Sequence, residues 1–185
     1  MQENSNFMME FIGIKPQEVV SIPITLYKSM QGRYFVGQTE TMLVGNGSSA
    51  WAGLINPRKS CVNLHANVLT ISNFSDEYLT AEIWLNTNPP EKGILAHKVS
   101  PSNTALIPLP KNKVNIRYVQ STTQVPQGGV NVFQRIVPPN GTQVSEEDGK
   151  FIEPPGGNYI VFIKSSSSQL SKIIVAFGWW EEPID

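Results

Sequence analysis

The sequence predicts an all-β protein, an antiparallel β-sandwich of jelly-roll type behind a short N-terminal arm, and three observations carry that prediction. Apolar runs rich in Val, Ile, Phe and Tyr recur at roughly 8 to 15 residues with Gly, Pro or Asn between them, the spacing of a two-sheet sandwich. Fourteen Gly and fourteen Pro accompany only 16% charged residues, a composition of turns and strands rather than of long helices. Alternating βα units are absent, which argues against a parallel sheet. At 185 residues the chain fits one domain with a core large enough to fold without disulfides. The expected boundaries are an arm over residues 1–16 and a sandwich over 17–185.

The arm, N-F-M-M-E-F-I-G-I-K-P, carries Phe7, Met8, Met9, Phe11 and Ile12. Asn4 or Ser5 could cap a short helix that Gly13 and Pro16 would stop. A helix of about seven residues is marginal alone and needs a surface to pack on. The five apolar residues are therefore candidates for a subunit contact. Extended, the first fourteen residues reach about 45 Å, enough to touch a neighbouring copy. Packing on its own domain, or disorder, is the competing reading.

Next, Val19–Lys28 alternates and reads as an edge strand, with Pro23 demoting it. Gln31-Gly-Arg33 turns the chain into a strand over Arg33–Thr39. Trp51–Ile55 is a short apolar strand. Asn63–Asn73 and Leu79–Asn86 read as a hairpin linked through Ser75-Asp-Glu. In its second arm Leu79, Ala81, Ile83 and Leu85 share the core face, and Thr80, Glu82 and Trp84 share the other. Strands are also expected over Ile94–Val99, Thr104–Leu109, Val114–Gln120 and Gly129–Val137, with an acidic turn over Val144–Gly149. Asn158–Lys164 and Lys172–Trp179 are apolar on both faces, as in central strands covered from two sides. Ser165 to Ser168 supply turn chemistry between them, so they read as the C-terminal hairpin on which the domain is built.

The net charge of −1 supplies no basic field for phosphate, so no nucleic-acid partner is expected. Lys111, Lys113 and Arg117 beside Tyr118 neutralise too few phosphates to change that. No run approaches the roughly 20 apolar residues of a spanning helix, and Met1–Ile14 lacks a basic n-region and an apolar h-region. The expectation is a protein made in the cytosol, without membrane insertion or signal peptide.

No catalytic, metal or cofactor signature is legible. His65 and His97 have no zinc-ligand spacing with each other or with Cys61. Cys61 follows Arg58-Lys59 but has only His65, four residues on, as a base, so an inert thiol is expected. Glu146, Glu147 and Asp148 read as a solvated turn ending in Asp-Gly rather than a calcium loop. Gly45-Asn-Gly47 lacks the Lys-Ser/Thr of a phosphate loop. Trp84 and Trp180 are candidates for an aromatic surface that could stack on sugar or fill a subunit contact. Because neighbouring strand residues point to opposite faces, one of Trp179 and Trp180 should plug the core unless a bulge at Gly178 intervenes.

The segments S-I-P-I-T-L-Y-K-S-M-Q-G-R-Y-F-V-G-Q-T, V-N-V-F-Q-R-I-V-P-P, S-E-E-D-G-K-F-I-E-P-P-G-G-N-Y-I-V-F-I and I-V-A-F-G-W-W-E-E resemble a domain family of unknown function from spore-forming Firmicutes. The resemblance covers most of Ser21–Glu182 and leaves out the arm. It carries no catalytic residues. It implies a place on the spore surface, where proteins made in the mother cell are released by lysis and need no signal peptide. Some spore appendage subunits are jelly rolls joined by N-terminal arms, and this chain is similar in expected architecture but lacks their paired cysteines. The leading expectation is a non-enzymatic subunit that assembles with itself into a fibre or layer on a spore or cell surface. A carbohydrate-binding β-sandwich with a glycan partner is the alternative, and a hydrolase with dispersed acids ranks last.

Overall fold

The computed structural model describes residues 19–184. In chain order its elements are α1 (Ile24–Met30), β1 (Tyr34–Gln38), β2 (Met42–Val44), β3 (Ser49–Ile55), β4 (Val62–Asn73), β5 (Leu79–Leu85), β6 (Ile94–Leu95), β7 (Lys98–Pro101), β8 (Asn115–Thr122), β9 (Val130–Val137), β10 (Gly141–Glu153), β11 (Asn158–Lys164) and β12 (Ser171–Pro183). All pairings between named strands are antiparallel. The front sheet runs β10-β4-β12-β1-β7, with β2 also on β12, and the back sheet runs β6-β8-β3-β11-β5-β9.

Within these sheets β1-β12-β4-β10 faces β3-β11-β5-β9, the strand order of a jelly roll. The chain changes sheet at each connection of that frame except between β5 and β9. There an excursion adds β8 to β3, β6 to β8 and β7 to β1. The predicted sandwich is thus present, with a three-strand insertion on one flank.

Both expected hairpins are corrected. β11 pairs with β3 and β5 in the back sheet, whereas β12 pairs with β4 and β1 in the front sheet. Likewise β4 and β5 lie in opposite sheets. Their links, residues 165–170 and 74–78, are long enough to cross the roughly 10 Å between packed sheets, which a two-residue hairpin turn is not. Even where apolar alternation marks a true strand, it says nothing about that strand's partner.

The segment Val19–Lys28 is not a strand: residues 24–30 form α1. Pro23 stands at the N-cap, where a missing N–H costs nothing. Gly32, at φ +71°, closes a Schellman motif, with Gly32 N–H on Ser29 O and Arg33 N–H on Lys28 O. Two end signals thus outweigh alternation over seven residues. The helix is also inverted. Lys28 and Ser29 face the sandwich, through Glu182 and Ser102, and Ile24, Leu26, Tyr27 and Met30 are exposed. Thr104–Leu109 forms no strand either, since Pro108 and Pro110 remove backbone donors.

The core lies between the sheets, from Phe35 and Trp179 through Leu64, Leu69, Ile71, Ile83 and Val161 to Tyr159. Trp179 is the tryptophan that plugs it, 5.8 Å from the Phe35 ring. In β4 the core-facing series passes from Leu64 and Ala66 to Leu69 and Ile71 because Asn67 is an extra residue opposite the Gly178–Trp179 junction. A bulge thus does occur beside Gly178, but it lies in the partner strand, and Trp179 still plugs the core while Trp180 does not share its face. β11 is covered on both faces: Ile160 and Phe162 join Trp51 and Val119 in a second cluster on the outer side.

Candidate functional site

β9 and β10 are the edge strands of their two sheets, and Pro138-Pro-Asn140 connects them, so their unpaired N–H and C=O groups lie along one flank. That flank exposes apolar side chains among its polar and charged ones. On β9, Val130, Phe133 and Ile136 are 60%, 37% and 69% exposed. On β10, Val144 and Ile152 are exposed. Ile136 stands opposite Thr80 and turns outward, whereas Phe133 stands opposite Ile83 and turns inward, edge-on to Phe151 at 5.9 Å. Behind Phe151 the Tyr159 hydroxyl donates to Glu147 Oε1 at 3.1 Å and Ser145 Oγ donates to the same oxygen at 2.7 Å. Burial, with the Glu147 charge beside it, pushes the Tyr159 hydroxyl far above its usual range.

Glu147 belongs to the expected acidic turn, which is corrected: residues 144–149 lie inside β10. Residues 147–150 bulge out of register opposite β4, with Asp148 and Gly149 at positive φ. The bulge folds over Trp180. A Cβ on Gly149 would stand 1.6 Å from that ring, so only glycine fits. Trp180 is 5% exposed and stacks on His65 at 5.0 Å, whose Nδ1 lies 3.1 Å from Gly149 O. It therefore offers no stacking surface, which corrects that expectation. Trp84 is half-buried on the outer face of the back sheet, its Nε1–H donating to Glu82 Oε2. The structure does not bring the two tryptophans together: they belong to different sheets. Phe7, Met8, Met9, Phe11 and Ile12 lie outside the described residues.

Two further buried carboxylates escaped the sequence reading. Glu181 accepts from the Lys113 and Val114 N–H groups and from Trp179 Nε1–H, yet burial still raises its pKa. Glu153, 3% exposed, is pushed up to about 7, also by burial, which the neighbouring Asn86 side chain offsets in part. Nothing in an alternating pattern reports either one. The only available signal is Glu153-Pro-Pro, where two residues in succession bring no N–H.

Other candidates occupy ordinary places. Cys61 is exposed, and Asn46 with Gly47 forms a left-handed turn. His97 lines a trough of about 570 Å³ across β1, β4, β7 and β12, with Val36, Val68, Lys98 and Ala176. Among the described residues no three His, Cys, Asp or Glu side chains are grouped to hold a metal, and no helix is long and apolar enough to cross a membrane.

No curated protein and no solved structure matches the chain. A family model does match, described as a family of unknown function, DUF6143, over residues 5–185. With nearly its whole length so covered, the chain belongs to the DUF6143 family.

Proposed function

We propose that this chain is a non-enzymatic structural subunit that assembles with copies of itself, into a fibre or layer on a spore or cell surface. The observation that supports this reading is the β9/β10 flank: two long edge strands with free backbone groups and exposed Val130, Phe133, Ile136, Val144 and Ile152. An edge of that kind is a template for strand addition. Used alone, the flank closes a two-fold pair, because the same patch serves both partners. Propagation needs a second contact, and the outward apolar face of α1 supplies one.

Light scattering and negative-stain microscopy across a concentration series test the reading. Species larger than a monomer are expected, reduced by Ile136→Lys on the flank and by removal of residues 1–15. A monomer mass at every concentration would overturn it. The glycan reading keeps only a half-buried Trp84 and gains no observation of its own.

A further inference from the structure

We propose that the connection from β10 to β11 holds a site for a hard cation of the calcium type, formed by Glu153, Asn86 and the Pro154 carbonyl, with Asn56 packed against the Glu153 backbone beside it. Asn56 follows β3, Asn86 follows β5, Glu153 ends β10 and Gly157 precedes β11. The ends of four strands, from both sheets, therefore meet there.

Accounting for hydrogen bonds exposes what is missing. Asn56 Nδ2 donates to Val62 O at 2.8 Å and to Glu153 O at 3.0 Å. This fixes the amide, because the reverse orientation would set its oxygen against two carbonyls. Asn56 Oδ1 is left with no donor. It and Glu153 Oε2 are the two buried side-chain polar atoms without a partner among the described residues. Asn86 Oδ1 takes one N–H, from Asn158 at 3.3 Å, and Pro154 O takes one, from Gly157 at 2.8 Å. Each keeps a spare lone pair.

Three of these oxygens, Asn86 Oδ1, Glu153 Oε2 and Pro154 O, converge beside Gly157, where no side chain stands. A Cβ on Gly157 would stand 2.7 Å from Asn86 Oδ1, 3.0 Å from Glu153 Oε2 and 3.1 Å from Pro154 O. Pro154 and Pro155 contribute no N–H, and the Asn86 amide offsets the burial of the Glu153 carboxyl only in part. A buried carboxyl in such a setting is neutralised either by a proton or by a bound cation, and the converging oxygens beside it favour the cation. The ligand set is oxygen only, one carboxylate with amide and backbone carbonyls, which suits Ca²⁺ rather than Zn²⁺. Its irregular spacing suits Ca²⁺ better than octahedral Mg²⁺. One carboxylate places the affinity in the weak class, about 10⁻⁴ to 10⁻³ M. Bound there, the ion ties the two sheets together at one end of the sandwich.

The test is thermal unfolding of the full chain after chelator treatment, with CaCl₂, MgCl₂ or NaCl at matched ionic strength. About 10 mM CaCl₂ is expected to raise Tm by about 3–11 °C, with a smaller rise in MgCl₂. Glu153→Gln preserves side-chain shape and is expected to fold, with unchanged circular dichroism, and to lose most of the calcium response. A terbium luminescence signal displaced by CaCl₂ in the wild type and absent in Glu153→Gln would support the site independently. No calcium response in the wild type, or an equal one in Glu153→Gln, overturns it. So does a Glu153→Gln variant that is more stable than a calcium-insensitive wild type, because a proton then suffices at Glu153.

Discussion

The two flanks of the sandwich are finished differently. On one, β6 has two residues and β7 has four, and β7 carries Lys98 and ends at Pro101. Short edges, lysine and proline are the usual means of blocking strand addition. On the other, β9 has eight residues and β10 thirteen. β9 contains neither lysine nor proline, and its one charge, Arg135, lies 4.4 Å over the Phe133 ring. β10 is guarded only by its bulge and its charged residues. The difference follows from where the chain inserts residues into the eight-strand frame: β6, β7 and β8 finish one flank, and the other remains as the frame leaves it. Association is therefore expected to be directional.

The sharpest way to break this comparison is to remove the pin beneath the β10 bulge. Trp180→Ala deletes the ring that Gly149 and His65 enclose, and such a deletion costs about 3–5 kcal/mol. Urea unfolding should show that loss. Hydrogen exchange should rise in residues 146–151 and stay unchanged in β6 and β7. Equal protection in both variants would mean that the bulge holds itself.

Next comes the β9 edge. Ile136 points outward and supports no core contact, so Ile136→Lys should leave stability within about 0.5 kcal/mol of wild type while weakening self-association at least about tenfold, or roughly 1.4 kcal/mol. A smaller effect is expected from Leu26→Glu on α1. Pairs should persist and only larger species disappear, because this contact is separate from the flank. If Leu26→Glu dissolves the pairs as well, the helix rather than the β9 edge makes the first contact.

How far this asymmetry could be read in advance depends on which physical signal each part leaves. β9 and β11 are legible as strands because β-branched and aromatic residues fit a pleated surface. The sandwich is legible because turn residues punctuate those runs. Partnership is not. Tyr159 and Val175 look alike in their segments, yet their strands lie in opposite sheets, because pairing is decided by link length and by the packing of the whole. The Asp148-Gly149 pair signalled a break in regular structure, and both residues do adopt positive φ. Its use as a lid over Trp180 depends on a contact 31 residues away in sequence. The Asn56, Asn86 and Glu153 cluster is still less visible, since its members are brought together only by the crossing of the sheets.

The least effect is expected where the finished flank carries its charge. Lys98 pairs with Glu40 at 2.8 Å, with both side chains about half exposed, and exposed pairs of this kind contribute at most about 1 kcal/mol. Lys98→Ala should shift the urea midpoint barely, by less than about 0.5 kcal/mol. It should leave the oligomer unchanged, because brevity and Pro101 still block β7. New association in this variant would show that the lysine charge itself keeps that edge free, and β9, which has no lysine, would then owe its exposure to the same single difference.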